Sequence, residues 1–224
     1  MKTKKEKQTP IKEAFDYLEI FVFAAAIVLL LFTVGIRLCT VDGDSMHDTL
    51  EHGQMLVVSE VFYTPEVGDI IVFHQSNNRI SYLNKPLVKR VLATEGQYCK
   101  IKYNLTPYTE GSDIYYVDMA VYVSDDATFE ESDKLDESYI DFKEISPKNE
   151  FHGLLSELKH YLGRCENTEK GEYVFETQIP EGYVFAVGDN RYNSNDSRLD
   201  VGFVDNRCIL GKVAFRLSPF GKVE

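Results

Sequence analysis

Leu87-Val88-Lys89-Arg90-Val91-Leu92-Ala93, closed by Glu95-Gly96, is a short aliphatic and β-branched run that ends on turn residues, the pattern of a β-strand. Alternate strand residues share a face, so Lys89 points with Leu87 and Val91, while Arg90 points with Val88 and Leu92. Residues 54–59, 69–74, 183–187 and 209–217 read the same way, with Pro65 and Gly68 among the residues that separate them. Strands at this spacing, with few helical patterns between them, predict a mainly β, antiparallel fold of barrel or sandwich type.

Residues 104–176 differ from the rest. They carry 18 acidic and 6 basic residues, a formal charge of −12 that by itself equals the net charge of the whole chain. Phe151, Leu154, Leu155, Leu158, Tyr161 and Leu162 recur there at helical spacing, and Gly163 is a natural stop. The stretch is read as an acidic α/β insert on the β core. Its charge is ordinarily that of a solvated face, and no calcium-loop spacing is present. Over residues 39–224 the excess of acidic side chains argues against nucleic acid as a partner. Cys39, Cys99, Cys165 and Cys208 lie far apart, without metal-type spacing, so both disulfides and buried thiols remain open.

From Ile20 to Ile36 there is no charged residue, and Glu19 and Arg37 bracket the run. With Tyr17 and Leu18 it approaches the ~20 residues a helix needs to cross hydrocarbon. A cleaved leader is the rival reading. The run is long for one, and Gly35-Ile36-Arg37-Leu38-Cys39 is a poor small-x-small cleavage site. Lys2, Lys4, Lys5, Lys7 and Lys12 precede the run and only Arg37 follows it closely, which places the N-terminus in the cytoplasm. The expected organisation is a cytoplasmic tail at 1–16, a single transmembrane anchor at 17–38 in the cell membrane, and an extracytoplasmic domain at 39–224.

Three stretches of that domain offer chemistry. Ser45 lies in Val41-Asp42-Gly43-Asp44-Ser45-Met46, a small, flexible setting that can present a hydroxyl and a backbone N–H. A serine needs a neighbour to take its proton, and as it stands Gly-Asp-Ser is also ordinary turn chemistry. Lys89 is a candidate base. Lysine is charged at neutral pH unless burial lowers its pKa. Its neighbours give it an apolar side, although a lysine on an exposed edge strand has the same sequence appearance. The polar loop Gly188-Asp189-Asn190-Arg191-Tyr192-Asn193-Ser194-Asn195-Asp196-Ser197-Arg198 can build carboxylate–guanidinium pairs around an amine. A histidine base is the alternative: His52 or His74 could reach Ser45 through the fold. No His-Glu-x-x-His zinc spacing occurs.

Ser45-Met46-His47-Asp48-Thr49-Leu50, Val67-Gly68-Asp69-Ile70-Ile71-Val72-Phe73, Val88-Lys89-Arg90-Val91 and the 188–198 loop, in this order behind one anchor, resemble the boxes of bacterial type I signal peptidases. The single anchor resembles their Gram-positive form. The resemblance implies a membrane-bound serine endopeptidase that removes signal peptides from exported preproteins. It implies Ser45 as nucleophile, Lys89 as general base, and Ser194 as the serine that helps orient the lysine. Asp189, Arg90, Asp196 and Arg198 match the family's ion-pair positions, and Met46 is expected to line a substrate pocket. No metal or organic cofactor is implied. The implied partners are preprotein signal peptides and the lipid bilayer. The chain departs from the pattern at Asp48, where proline is usual, at Glu95-Gly96-Gln97, where Pro-Gly-Asp is usual, and at Gly43, where some members have serine. These differences bear on substrate range. A catalytically inactive anchored binding module of the same fold is the competing expectation.

Overall fold

The computed structural model describes residues 10–47, 49–75, 84–107, 115–140, 164–169 and 172–223. The helical pattern at 151–162 lies outside them. Helix α1 runs from Pro10 to Val34. Its side chains are described as far as residue 29, and that part still carries Lys12, Glu13, Asp16 and Glu19. Among the described residues no helix is long and apolar enough to cross a membrane.

The rest is antiparallel β-structure in two sheets. The strands of the first are β1 (Ile36–Thr40), β2 (Met55–Ser59), β3 (Ile70–Phe73), β4 (Leu87–Ala93), β9 (Tyr183–Val187), β10 (Val204–Asp205), β11 (Ile209–Leu217) and β12 (Phe220–Gly221). They are ordered β1-β2-β11-β3-β4-β9-β10, with β12 paired to β11. The second sheet has β5 (Tyr98–Pro107), β6 (Tyr115–Ser124), β7 (Glu166–Glu169) and β8 (Glu172–Gln178), ordered β6-β5-β8-β7. Positions 104 and 176, the expected limits of the acidic insert, fall inside β5 and β8. Tyr98 pairs with Gln178, so this sheet begins and ends next to the first one.

The first sheet is buried on both sides at its centre, which explains why β3 is an unbroken apolar run rather than an alternating one. Ile71 and Phe73 pack with Val91, Val184 and Ala186 on one side. Ile70 and Val72 pack with Met46, Leu50, Leu56 and Val58 on the other. A third cluster joins the two sheets: Leu92, Phe185 and Val187 meet Ile101, Tyr103 and Val121. β4 lies between β3 and β9, with Ile71 opposite Lys89 and Val187 opposite Arg90. Lys89 is therefore on an interior strand, not on an exposed edge. Among the described residues no disulfide is formed.

Ile101 is fully buried where the two sheets meet. Ile101→Ala is expected to lower unfolding stability by about 2–5 kcal/mol, the cost of the lost contacts and the cavity left behind. The shift in the urea midpoint at constant slope measures it.

Candidate active site

Ser45 sits in a tight turn on the connection from β1 to β2. Val41 N–H donates to the Gln54 carbonyl and Gly53 N–H to the Val41 carbonyl, each at 2.9 Å, and these two bonds close the base of the loop. Inside it, His47 N–H reaches the Asp44 carbonyl and Leu50 N–H the Met46 carbonyl. Met46 and Leu50 are buried in the cluster beneath, so they fasten the turn to the sheet. Met46, the expected pocket residue, is thus an apolar floor under the nucleophile candidate. Gly43 has φ +103°, a conformation that penalises any side chain.

Lys89 is 2% exposed. Its Nζ donates to Ser45 Oγ at 2.7 Å and to the Val88 carbonyl at 2.9 Å. Burial pushes its pKa down to about 8; Asp196 and Asp189 pull it partly back up, and Arg198 pushes it further down. The histidine alternative finds no support in this geometry. His52 Nδ1 accepts the Gly43 N–H at 3.1 Å, whereas the Ser45 hydroxyl is bonded to Lys89.

Two buried ion pairs frame the lysine. Arg90, on the opposite face of β4, clamps Asp189 through Nε–Oδ1 at 2.9 Å and Nη2–Oδ2 at 2.8 Å. Asp189 also accepts the Thr49 hydroxyl at 2.6 Å, so one carboxylate ties β4 to the turn that carries Ser45. Arg198 clamps Asp196 through Nε–Oδ1 at 2.9 Å and Nη2–Oδ2 at 2.8 Å. Burial raises the Asp196 pKa, but the Arg198 charge and the hydrogen bonds from Arg198, Ser194 and Gly188 outweigh it, and the net direction is down. Ser194, 5% exposed, thus joins this second pair.

Gly188 joins these parts. A Cβ there would overlap the Ser45 carbonyl and the Ser194 side chain, so only glycine lets the end of β9 lie against the nucleophile turn. Asn190 then fastens the contact: its N–H donates to the Ser45 carbonyl at 3.1 Å, and its Nδ2 to the Asp44 carbonyl at 3.0 Å.

The structure brings together Ser45, Lys89, Arg90, Asp189, Ser194, Asp196 and Arg198, with Met46 beneath the turn, and does not place His52 or His74 on the Ser45 hydroxyl. It adds four that sequence reasoning passed over. Thr49 bonds Asp189, and Tyr103 Oη lies 3.4 Å from Arg198 Nη1. Glu137 pairs with Arg191 at 2.6 Å, and the Tyr139 ring lies 3.9 Å from the Arg90 guanidinium carbon. Glu137 and Tyr139 belong to the acidic stretch, whose composition reads as a solvated face. Only Thr49, inside the box that begins at Ser45, carried any sequence signal.

A hydroxyl hydrogen-bonded to an amine of lowered pKa is a nucleophile with its proton acceptor in place. Among the described residues no cluster of side chains suited to a metal ion occurs. The bond between Ser45 Oγ and the buried Lys89 amine offers the chemistry of a serine hydrolase with a lysine in the place of histidine. Comparison with known proteins agrees in class. The family model described as signal peptidase, peptidase S26, matches residues 14–218. Signal peptidase IB of Staphylococcus aureus (strain COL) is 28% identical over 230 residues, covering 93% of each chain. A probable signal peptidase I-1 of Synechocystis sp. is 31% identical over 185 residues, covering 80% of this chain and 69% of that one. Among solved structures, a signal peptidase I from Enterococcus faecalis V583 aligns with 67% of this chain and 97% of its own, at 24% identity and a TM-score of 0.36. The chain belongs to the signal peptidase family, peptidase S26, whose members are serine endopeptidases that remove signal peptides.

The depressed lysine pKa has a consequence for stability. Unfolded, Lys89 titrates near ~10.4; folded, near about 8. The folded state disfavours the ammonium, so the penalty is complete below pH 8 and fades as pH rises from 8 towards 10.4. At neutral pH it amounts to about 3 kcal/mol. Lys89→Met is expected to melt higher than wild type at pH 7, with the advantage shrinking above pH 9 in a melting series across pH.

Proposed function

We propose that this chain is a membrane-bound serine endopeptidase that cleaves signal peptides from exported preproteins through a Ser45–Lys89 dyad. The observation that carries the reading is the 2.7 Å bond from the buried Lys89 amine to Ser45 Oγ. In its neutral form Lys89 takes the hydroxyl proton as Ser45 Oγ attacks the scissile carbonyl carbon. The Ser45 backbone N–H faces the developing oxyanion. Lys89 then returns the proton to the leaving amine, and water, activated by the same amine, hydrolyses the acyl-enzyme. Ser194, held by Asp196, orients the lysine. Arg90–Asp189 and Asp196–Arg198 keep β4, the Ser45 turn and the 188–198 loop in register. Met46 closes the floor under a shallow site for small side chains.

The proposed anchor lies within the expected 17–38 and ends with α1 at Val34, since Ile36–Thr40 is β1, with 1–16 in the cytoplasm and 39–224 outside. The uncharged run from Ile20 to Ile36 supports it. So does α1, whose Ile20, Phe21, Phe23, Ile27 and Leu29 side chains are all more than half exposed among the described residues. A bilayer is the solvent that suits such a surface. Anchoring keeps enzyme and preprotein in one plane and raises their effective concentration.

The test is cleavage of a preprotein whose signal ends in Ala-x-Ala, in detergent or vesicles, by wild type, Ser45→Ala and Lys89→Ala. Both variants are expected to lose activity by about a thousandfold or more. Wild-type kcat/KM is expected to rise with pH and level off above about 8, because only the neutral amine accepts a proton. Full activity in Lys89→Ala would remove lysine as the base. A wild type inert toward such substrates would favour the binding-module reading.

A further inference from the structure

Three arginines are buried around the site, and none can lose its charge at accessible pH. Two take their counter-charge from the 188–198 loop, as Arg90 does from Asp189 and Arg198 from Asp196. The third, Arg191, is 1% exposed and is paired with a carboxylate of the acidic stretch: its Nη2 lies 2.6 Å from Glu137 Oε1. Glu137 is itself buried, with only 6% of its side chain exposed.

Arg191 stands close to the chemistry. Its Nε donates to the Gly188 carbonyl at 3.1 Å, and Gly188 is the residue that touches the Ser45 carbonyl and the Ser194 side chain. Tyr139 completes the arrangement. Its hydroxyl accepts from Arg191 Nη2 at 3.2 Å, while its ring covers the Arg90 guanidinium. Arg90 is the neighbour of Lys89 on β4. One short segment therefore bears on both the strand of the lysine and the loop that abuts the serine.

That segment is firmly held by the second sheet. Leu135 N–H donates to the Val121 carbonyl at 2.8 Å, and Lys134 bridges to Tyr122. A turn follows, in which Ser138 N–H meets Asp136 Oδ1 and Ile140 N–H meets the Glu137 carbonyl.

We propose that Glu137 and Tyr139 are positioning residues for the hydrolysis: they hold Arg191 and Arg90 so that Gly188 and β4 keep Ser45 within reach of Lys89. The inference rests on the Ser45–Lys89 reading above. Without Glu137 the Arg191 charge is buried and uncompensated, and it is relieved only by shifting the loop. Displacement of the reacting pair by a fraction of an ångström lowers turnover without removing any group that binds substrate.

The experiment uses the full chain in detergent with the same preprotein, and compares Glu137→Gln, Tyr139→Phe and Tyr139→Leu with wild type. Thermal melts of each variant establish that it is folded at the assay temperature. Glu137→Gln is expected to lower kcat about tenfold with KM within about twofold of wild type. Tyr139→Leu, which uncovers Arg90, is expected to cost more than Tyr139→Phe, which keeps the ring. If Glu137→Gln does not fold, the pair Glu137→Gln with Arg191→Gln removes both charges and is read in its place. Wild-type kcat in a folded variant, or a rise in KM at constant kcat, overturns the proposal. Activity that survives in Ser45→Ala and Lys89→Ala overturns the dyad instead, so the two failures are told apart.

Discussion

The Lys89 side chain is kept out of water, and keeping it there organises the neighbourhood. The low dielectric disfavours its ammonium. That effect would be undone by any unneutralised carboxylate nearby. Asp189 and Asp196 are both close enough to pull the lysine pKa up, yet each is bound by an arginine through two contacts. The paired arginines tie the loop to β4 and to Asp196, and Arg198 offsets part of the field that would raise the lysine pKa. Burial, not the charge of the 188–198 loop, is what lowers the lysine pKa, and the arginines keep the loop carboxylates from undoing it altogether.

The central strands were legible from local pattern. The runs at 87–93, 183–187 and 209–217 coincide with β4, β9 and β11, because turn residues bracket each of them. The second sheet was legible only as something different in composition. Its partners meet across long separations, such as Tyr98 with Gln178, and no local period encodes that register. Residues of the site that lie in compact motifs, Ser45, Lys89 and the 188–198 loop, stood out together. Glu137 and Tyr139 did not, because one paired glutamate looks like any other in a run of acidic residues. Gly188 stood out as a turn residue, while the close approach that requires it depends on how the nucleophile turn packs.

The two sheets contribute unequally to the site. The first carries Lys89 on β4 and Ser45 on the β1–β2 connection. Among the described residues the second contributes a hydrophobic seam and, in the segment after β6, the Glu137 carboxylate. This division explains how a strongly acidic stretch coexists with a site that must not gain negative charge. Glu137, the acidic residue of that stretch that reaches the centre, arrives already paired with Arg191.

The bonds that complete the site span great lengths of chain: 140 positions separate Thr49 from Asp189, and 146 separate Asp44 from Asn190. The nucleophile turn is among the first parts of the domain to leave the ribosome, and the loop that fixes its carbonyl is among the last. Until that loop arrives, the Ser45 carbonyl lacks its Asn190 donor and Thr49 its carboxylate partner. The arrangement of Ser45 and Lys89 therefore depends on pairing between parts of the chain that are made far apart in time, and a chain cut short before residue 188 lacks the groups that fix it.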